Sequence, residues 1–238
     1  MREREHGLLE RLKHRKGFYE CPVGPNGKLL GPLVGYTGTY DAPDGTKKHY
    51  VGKIYYNLAM AEEWSGLLEL FAEAVASDVN GLQPDACVGM PMGGLLLAQR
   101  IAAILGTRLS YAEKLVTVAA TDGQRETSKL VFARHGIESG EKVLIVEDIC
   151  NNFSTTMQGI QLIEDNGGKP IGIVCAVNRS EQTEWNGLPV ISSVFKPTPQ
   201  FKQEDPEVAE YIARDQVIWK PKPNWDKLAA AMAVHPAT

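Results

Sequence analysis

Ten consecutive residues, Glu147-Asp148-Ile149-Cys150-Asn151-Asn152-Phe153-Ser154-Thr155-Thr156, follow the apolar run Val143 to Val146 and precede a helical pattern. The first amides of a helix have no partner within it, so hydroxyl side chains and free N–H groups gather where Ser154, Thr155 and Thr156 stand. Thr155 and Gln158 also have the spacing of a capping box. Such a helix start is a ready phosphate site. Glu147 and Asp148 would repel a bare phosphate. They suit a ligand that carries hydroxyls beside its phosphate, with the acids accepting hydrogen bonds from a ribose diol. The residues therefore point to a phosphosugar turn rather than to a capped helix that happens to follow two solvated acids.

A second segment, Gly89-Met90-Pro91-Met92-Gly93-Gly94-Leu95, lies about 55 residues upstream, again between an apolar strand and a helix. Its glycines let backbone amides approach an anion. Taken alone, it is a strand-to-helix turn; placed ahead of the acidic pair, it becomes a second anion loop.

The elements that must position these segments alternate. Strands are expected at Val51 to Tyr56, Ala86 to Met90, Arg108 to Ala112, Val143 to Val146, Ile171 to Val177 and Val190 to Val194. Helices are expected at Leu58 to Val79, Leu95 to Leu105 and Ser154 to Glu164, with a short amphipathic one using Leu8, Leu9 and Leu12. Val116 to Ala119 and Leu130 to Phe132 flank a polar segment and read as a hairpin. Residues 17 to 46 are turn-rich, punctuated by Pro22, Pro25, Pro32 and Pro43. Strand-helix alternation implies an α/β fold, a parallel twisted sheet with helices on both faces, because parallel strands need crossover connections.

Composition narrows the function classes. A net charge of −4 and a pI near 5.8 argue against a nucleic-acid coat. No apolar run is long enough to span a bilayer, and the charged N-terminus is not a secretory signal. Cys21, Cys87, Cys150 and Cys175 lack CxxC pairing, so a zinc site or disulfide framework is not expected and a reducing, cytoplasmic setting fits. Cys87 and Cys175 sit in strand-like runs as small buried thiols.

Val143 to Thr156 resembles the phosphoribosyl-pyrophosphate signature of type I phosphoribosyltransferases: an apolar strand, two acids and a turn of small and hydroxyl residues. Glu147, Asp148, Thr155 and Thr156 match; Asn151-Asn152-Phe153-Ser154 stands where the family has Thr-Thr-Gly-Gly. The resemblance covers Asp85 to Val194. It implies a core at 58–200 between an N-terminal helix and hood segment (1–57) and a C-terminal helical extension (201–238). It assigns Glu147 and Asp148 to the ribose, Asn151 to Thr156 to the 5′-phosphate, and Met90, Pro91, Met92, Gly93 and Gly94 to pyrophosphate. Lys114 would also contact pyrophosphate, and Arg125, Lys129 and Arg134 would ride on a flexible loop that closes over the site. Val177-Asn178-Arg179-Ser180-Glu181 is similar to a stretch of orotate phosphoribosyltransferases whose arginine holds the base, which implies a base-binding Arg179. Mg²⁺ bound through substrate oxygens and a homodimer are further implications. The reaction implied is transfer of ribose 5-phosphate from phosphoribosyl pyrophosphate to a base nitrogen, orotate favoured. Two alternatives stay open: a non-catalytic phosphosugar or nucleotide sensor of the same fold, and an unrelated α/β protein. The Trp219 to Trp225 segment is expected to dock on the body or on a partner subunit.

Overall fold

The computed structural model describes residues 3–118 and 127–234. The chain divides into two compact units, one built from Met1–Leu8 and Ala61–Pro197, the other from Leu9–Met60 and Thr198–Thr238. In chain order the first part contributes α1 (Glu3–His14), β1 (Phe18–Glu20), β2 (Leu33–Asp41), β3 (Lys47–Gly52), β4 (Ile54–Tyr56) and α2 (Ala59–Glu63). The middle contributes α3 (Ser65–Asn80), β5 (Ala86–Gly89), α4 (Gly93–Leu105), β6 (Arg108–Tyr111), β7 (Glu113–Val118), β8 (Thr127–Val131), β9 (Lys142–Cys150), α5 (Ser154–Asp165), β10 (Lys169–Asn178), β11 (Glu184–Trp185) and β12 (Leu188–Phe195). The last part adds α6 (Pro206–Ala213), β13 (Val217–Ile218) and α7 (Trp225–Val234).

The first unit holds a six-stranded sheet in the order β11-β12-β10-β9-β5-β6, parallel throughout except for the antiparallel edge strand β11. β9 is buried without interruption from Val143 to Glu147, as a strand covered on both faces must be. Val143 and Ile145 pack with Ile160 and Ile163 of α5. Leu144, on the other face by strand alternation, lies on the side of Leu82, just beyond α3. From β5 the chain moves outward to β6, then returns to β9 and runs the other way through β10 and β12. The strand order thus reverses between β5 and β9, and ligands of open α/β sheets bind beyond the carboxyl ends of such strands.

In the second unit, the sheet β13-β2-β3 and the pair β1-β4 share a core of Tyr19, Leu33, Val34, Val51, Val208, Trp225 and Leu228. Trp219 lies against Gly35, where any side chain would collide with the indole. The terminal segment therefore docks within this unit through a strand and a tryptophan.

Several local expectations are corrected. The helix over Leu58 to Val79 is broken at Trp64 into α2 and α3. The strand over Val51 to Tyr56 is two strands, because β3 pairs with β2 and β4 with β1. The turn-rich stretch contains the nine-residue β2. The hairpin is longer at its base than expected, β7 pairing β8 antiparallel from Glu113↔Val131 to Val118↔Thr127. β9 extends four residues past Val146, because Glu147, Ile149 and Cys150 continue the ladder with β10.

Ile145 is fully buried at the centre of the sheet. Ile145→Ala is expected to cost about 2–5 kcal/mol through lost transfer energy and a residual cavity. Denaturant titration would show this as a lower midpoint with an unchanged slope.

Candidate active site

The acidic pair lies within strand β9, near its carboxyl end, not after it. Glu147 pairs with Cys175 of β10 and is buried, and this burial pushes its carboxyl up to about 8, with the Asp148 charge adding to the rise. Asp148 is also raised, chiefly by burial, although the backbone N–H of Ile149 donates to its Oδ1 at 2.7 Å and pulls the other way. Glu62 of α2 joins the pair electrostatically: burial raises its carboxyl, and so does the nearby charge of Asp148.

The glycine loop lies directly on these acids. A β-carbon on Gly93 would run into the Asp148 carboxylate, and one on Gly94 into the Val146 carbonyl and the Glu147 backbone. The loop is tied down by hydrogen bonds from Met90 N to Val146 O (2.9 Å) and Gly94 N to Met90 O (3.1 Å). Met90 is fully buried and fits a gap left by Gly159 of α5, while Met92 is 84% exposed. Only the glycines permit the loop between β5 and α4 to approach the end of β9 this closely, which brings Met90 to Gly94 and the acidic pair together.

The turn from Asn151 to Thr156 completes the arrangement at the start of α5. Asn151, Asn152 and Ser154 are exposed, Thr155 is half-buried and Thr156 is buried. Asn152 Oδ1 accepts from Ser154 N at 3.1 Å and Ser154 Oγ at 3.0 Å. Helix α5 begins at Ser154 with Phe153 as its N-cap and no side-chain cap, so Thr155 lies within the first turn and the capping box is not made. Phe153 has φ 57° and ψ 16°, the left-handed conformation for which glycine is suited. That costs a non-glycine residue roughly 1–2 kcal/mol. Phe153 is buried and stacked on Trp185, centroids 4.6 Å apart and planes 11° from parallel. Burial of a phenylalanine is worth about 1.5–3 kcal/mol and an aromatic pair about 0.5–1.5 kcal/mol more, so packing offsets the backbone strain.

Arg179 follows β10, and its backbone N–H donates to Cys150 O at 3.0 Å, one residue before the turn. Its Nε and Nη2 are buried. Fully buried Asn178 shapes this bend by accepting from Ser180 N and Oγ and donating to Gln182 O. Arg179 is thus brought beside the turn that opens α5. The basic residues of the hairpin are arranged differently. Lys114 pairs with Leu130 and Lys129 with Leu115, so the two lysines stand on opposite faces of the ribbon. Lys114 shares its face with buried Leu130; Lys129 shares the other with exposed Leu115. Arg134 lies 4.0 Å from Glu113, and Arg125 falls outside the described residues.

Sequence reasoning missed Glu62, Trp185 and Met157. Trp185 had a signal: Asn186-Gly187 between apolar residues is a hairpin turn, and both have positive φ here. Glu62 had none, since its approach to Asp148 is a tertiary contact.

A family model described as a phosphoribosyl transferase domain matches residues 63–195, which contain all of these site elements except Glu62. An orotate phosphoribosyltransferase of Caldanaerobacter subterraneus subsp. tengcongensis is 28% identical over 151 residues, covering 63% of this chain and 74% of that one. Among solved structures, the orotate phosphoribosyltransferase from Aeropyrum pernix aligns with TM-score 0.53 and 17% identity over 79% of this chain and 93% of that one. The adenine phosphoribosyltransferase from Leishmania tarentolae aligns with TM-score 0.50 and 14% identity over 82% and 89%. Likeness at such identities shows the shared fold and does not choose between bases.

Two outcomes test this geometry. Gly94→Ala is expected to lower stability by about 1–3 kcal/mol, read from thermal unfolding, because strand β9 has no room to retreat. Glu147 keeps its proton in the folded state up to about pH 8 while the unfolded chain releases it near its usual 4.5. The unfolded state therefore binds fewer protons across that window, and stability falls as pH rises. Glu147→Gln removes the effect, so the variant should melt at a higher temperature than the wild type at pH 8, with the gap closing towards pH 4.5.

Proposed function

The chain belongs to the phosphoribosyltransferase family, and from that premise we propose that it moves ribose 5-phosphate from phosphoribosyl pyrophosphate to a nitrogen of a nucleobase, with orotate the favoured acceptor. The observation that carries this reading is the meeting, at the switch point of the sheet, of a glycine loop, one buried and one half-buried carboxylate, and a hydroxyl-rich helix start. In this reading the turn from Asn151 to Thr156 holds the 5′-phosphate through helix amides and hydroxyls. Glu147 and Asp148 accept hydrogen bonds from the ribose diol and favour positive charge developing on the ring. Met90 to Gly94 offer amides to the departing pyrophosphate, and Lys114 adds a cation from the body side of the ribbon. Such work is mostly positioning and electrostatics.

Burial of Glu147 favours its protonated form, and hydrogen bonds donated by the ribose diol would favour its ionised form. Mg²⁺ enters this scheme with the donor. By family resemblance the ion would be held mainly by pyrophosphate oxygens and water. Bound there, it would neutralise charge on the leaving group. Arg179 suits orotate because a guanidinium fork pairs with a carboxylate or carbonyl, and curated relatives named orotate phosphoribosyltransferases support that preference. A homodimer is part of the same proposal by family resemblance.

One observation favours a second reading, a phosphosugar sensor that does not turn over. Asn152 occupies the Ser154 amide and hydroxyl, which in the first reading face phosphate. Pyrophosphate release from phosphoribosyl pyrophosphate and Mg²⁺, measured over a panel of bases, separates the two. Release dependent on orotate is the expected result; donor binding without release from any base would select the sensor. Asp148→Asn should weaken donor binding at least about tenfold, a loss of about 1.4 kcal/mol by calorimetry. Unchanged affinity would remove the ribose role from Asp148.

A further inference from the structure

Trp185 lies outside the segments that carry the family signature, on a two-residue edge strand whose register is Trp185↔Leu188. The turn Asn186-Gly187 has φ of 52° and 74°, the pair of positive values that a tight hairpin with native twist demands. This hairpin delivers the indole to the start of α5. There the ring stacks on Phe153, and its Nε1–H donates to Met157 Sδ at 3.2 Å. Phe153, with Cys150, Ile173, Cys175 and Val190, forms a small apolar cluster against which Trp185 and Leu188 pack. The indole is thus held to the cap of α5 by a face and to its first turn by an edge.

Phe153 is the one residue of the turn that needs a left-handed backbone, and it lacks the freedom of glycine to adopt it. Something outside the turn must keep it there, because a free phenylalanine would relax to negative φ and swing the amides that follow. We propose that Trp185 is a positioning residue for the 5′-phosphate turn: by stacking on Phe153 it holds the left-handed backbone and so sets where the amides of Ser154 to Thr156 point. The chain has exchanged the flexibility of a glycine cap for an aromatic clamp. Trp185 itself need not touch the ligand. This inference rests on the reading of Asn151 to Thr156 as the phosphate turn.

The test is calorimetry of ribose 5-phosphate and, separately, pyrophosphate with the wild type, Trp185→Ala, Phe153→Gly and the double variant. Trp185→Ala is expected to weaken ribose 5-phosphate about five- to tenfold and leave pyrophosphate within about twofold, since the reading assigns pyrophosphate to the glycine loop and not to the α5 turn. With Phe153→Gly as background, adding Trp185→Ala should change ribose 5-phosphate affinity by less than about twofold, because glycine needs no clamp. Met157→Leu, which keeps volume but removes the indole's acceptor, should give a smaller loss that also vanishes in that background. It decides the matter if Trp185→Ala does not fold. An equal loss in both backgrounds, an equal loss for both ligands, or no loss at all would overturn the proposal. A wild type that binds neither ligand would overturn the phosphosugar reading along with it.

Discussion

Two carboxylates, Glu147 buried and Asp148 half-buried, stand side by side at the end of strand β9, against a glycine loop. Desolvation makes this arrangement costly for the charged forms and pushes both carboxyls above their usual range. The rest of the first unit follows from it. The loop must be glycine at 93 and 94, because any side chain would displace Asp148 or strand β9. Met90 must turn inward to anchor that loop, and Gly159 of α5 makes the space. A fold that keeps such a cost has concentrated its unfavourable electrostatics where a ligand can relieve them.

Around this centre the sheet acts as a set of rulers. Parallel pairing in the order β10-β9-β5-β6 aligns the carboxyl ends of β5 and β9, so two loops far apart in sequence open on the same crevice. Asn178, buried at the end of β10, folds the following bend through its side-chain amide and brings Arg179 alongside. Backbone ladders and the buried side-chain amide of Asn178 together place these neighbours. The second unit closes its own core around Tyr19, Leu33 and Leu228 and draws the C-terminal segment into it through β13 and Trp225.

The α5 cap combines a strained backbone with compensating packing. Glycine reaches the left-handed region freely but contributes nothing to packing. Phenylalanine strains the backbone and repays it by burial and by stacking on Trp185. In this chain the left-handed cap coincides with a tertiary contact, the stack on Trp185. Asn152 adds a further local restraint through its bonds to Ser154.

Much of this was legible in the residues themselves. The apolar run Val143 to Val146, the acids after it, the row of hydroxyls and the Gly93-Gly94 pair are short-range patterns, and alternation of strand and helix follows from their periodicity. The sequence by itself therefore determined an α/β sheet with two anion-suited turns, because hydrophobic period and helix-end chemistry are local. Tertiary structure alone decided that β9 runs on through Glu147 to Cys150, that Glu62 approaches Asp148, and that Lys114 and Lys129 face opposite ways. It also decided that Phe153 takes the left-handed conformation that residue preference argues against. In each case the deciding force is a pairing or packing partner distant in sequence: the β10 ladder, the turn at the end of α2, the ribbon register and the indole of Trp185. No local pattern can report a partner that only folding brings within reach.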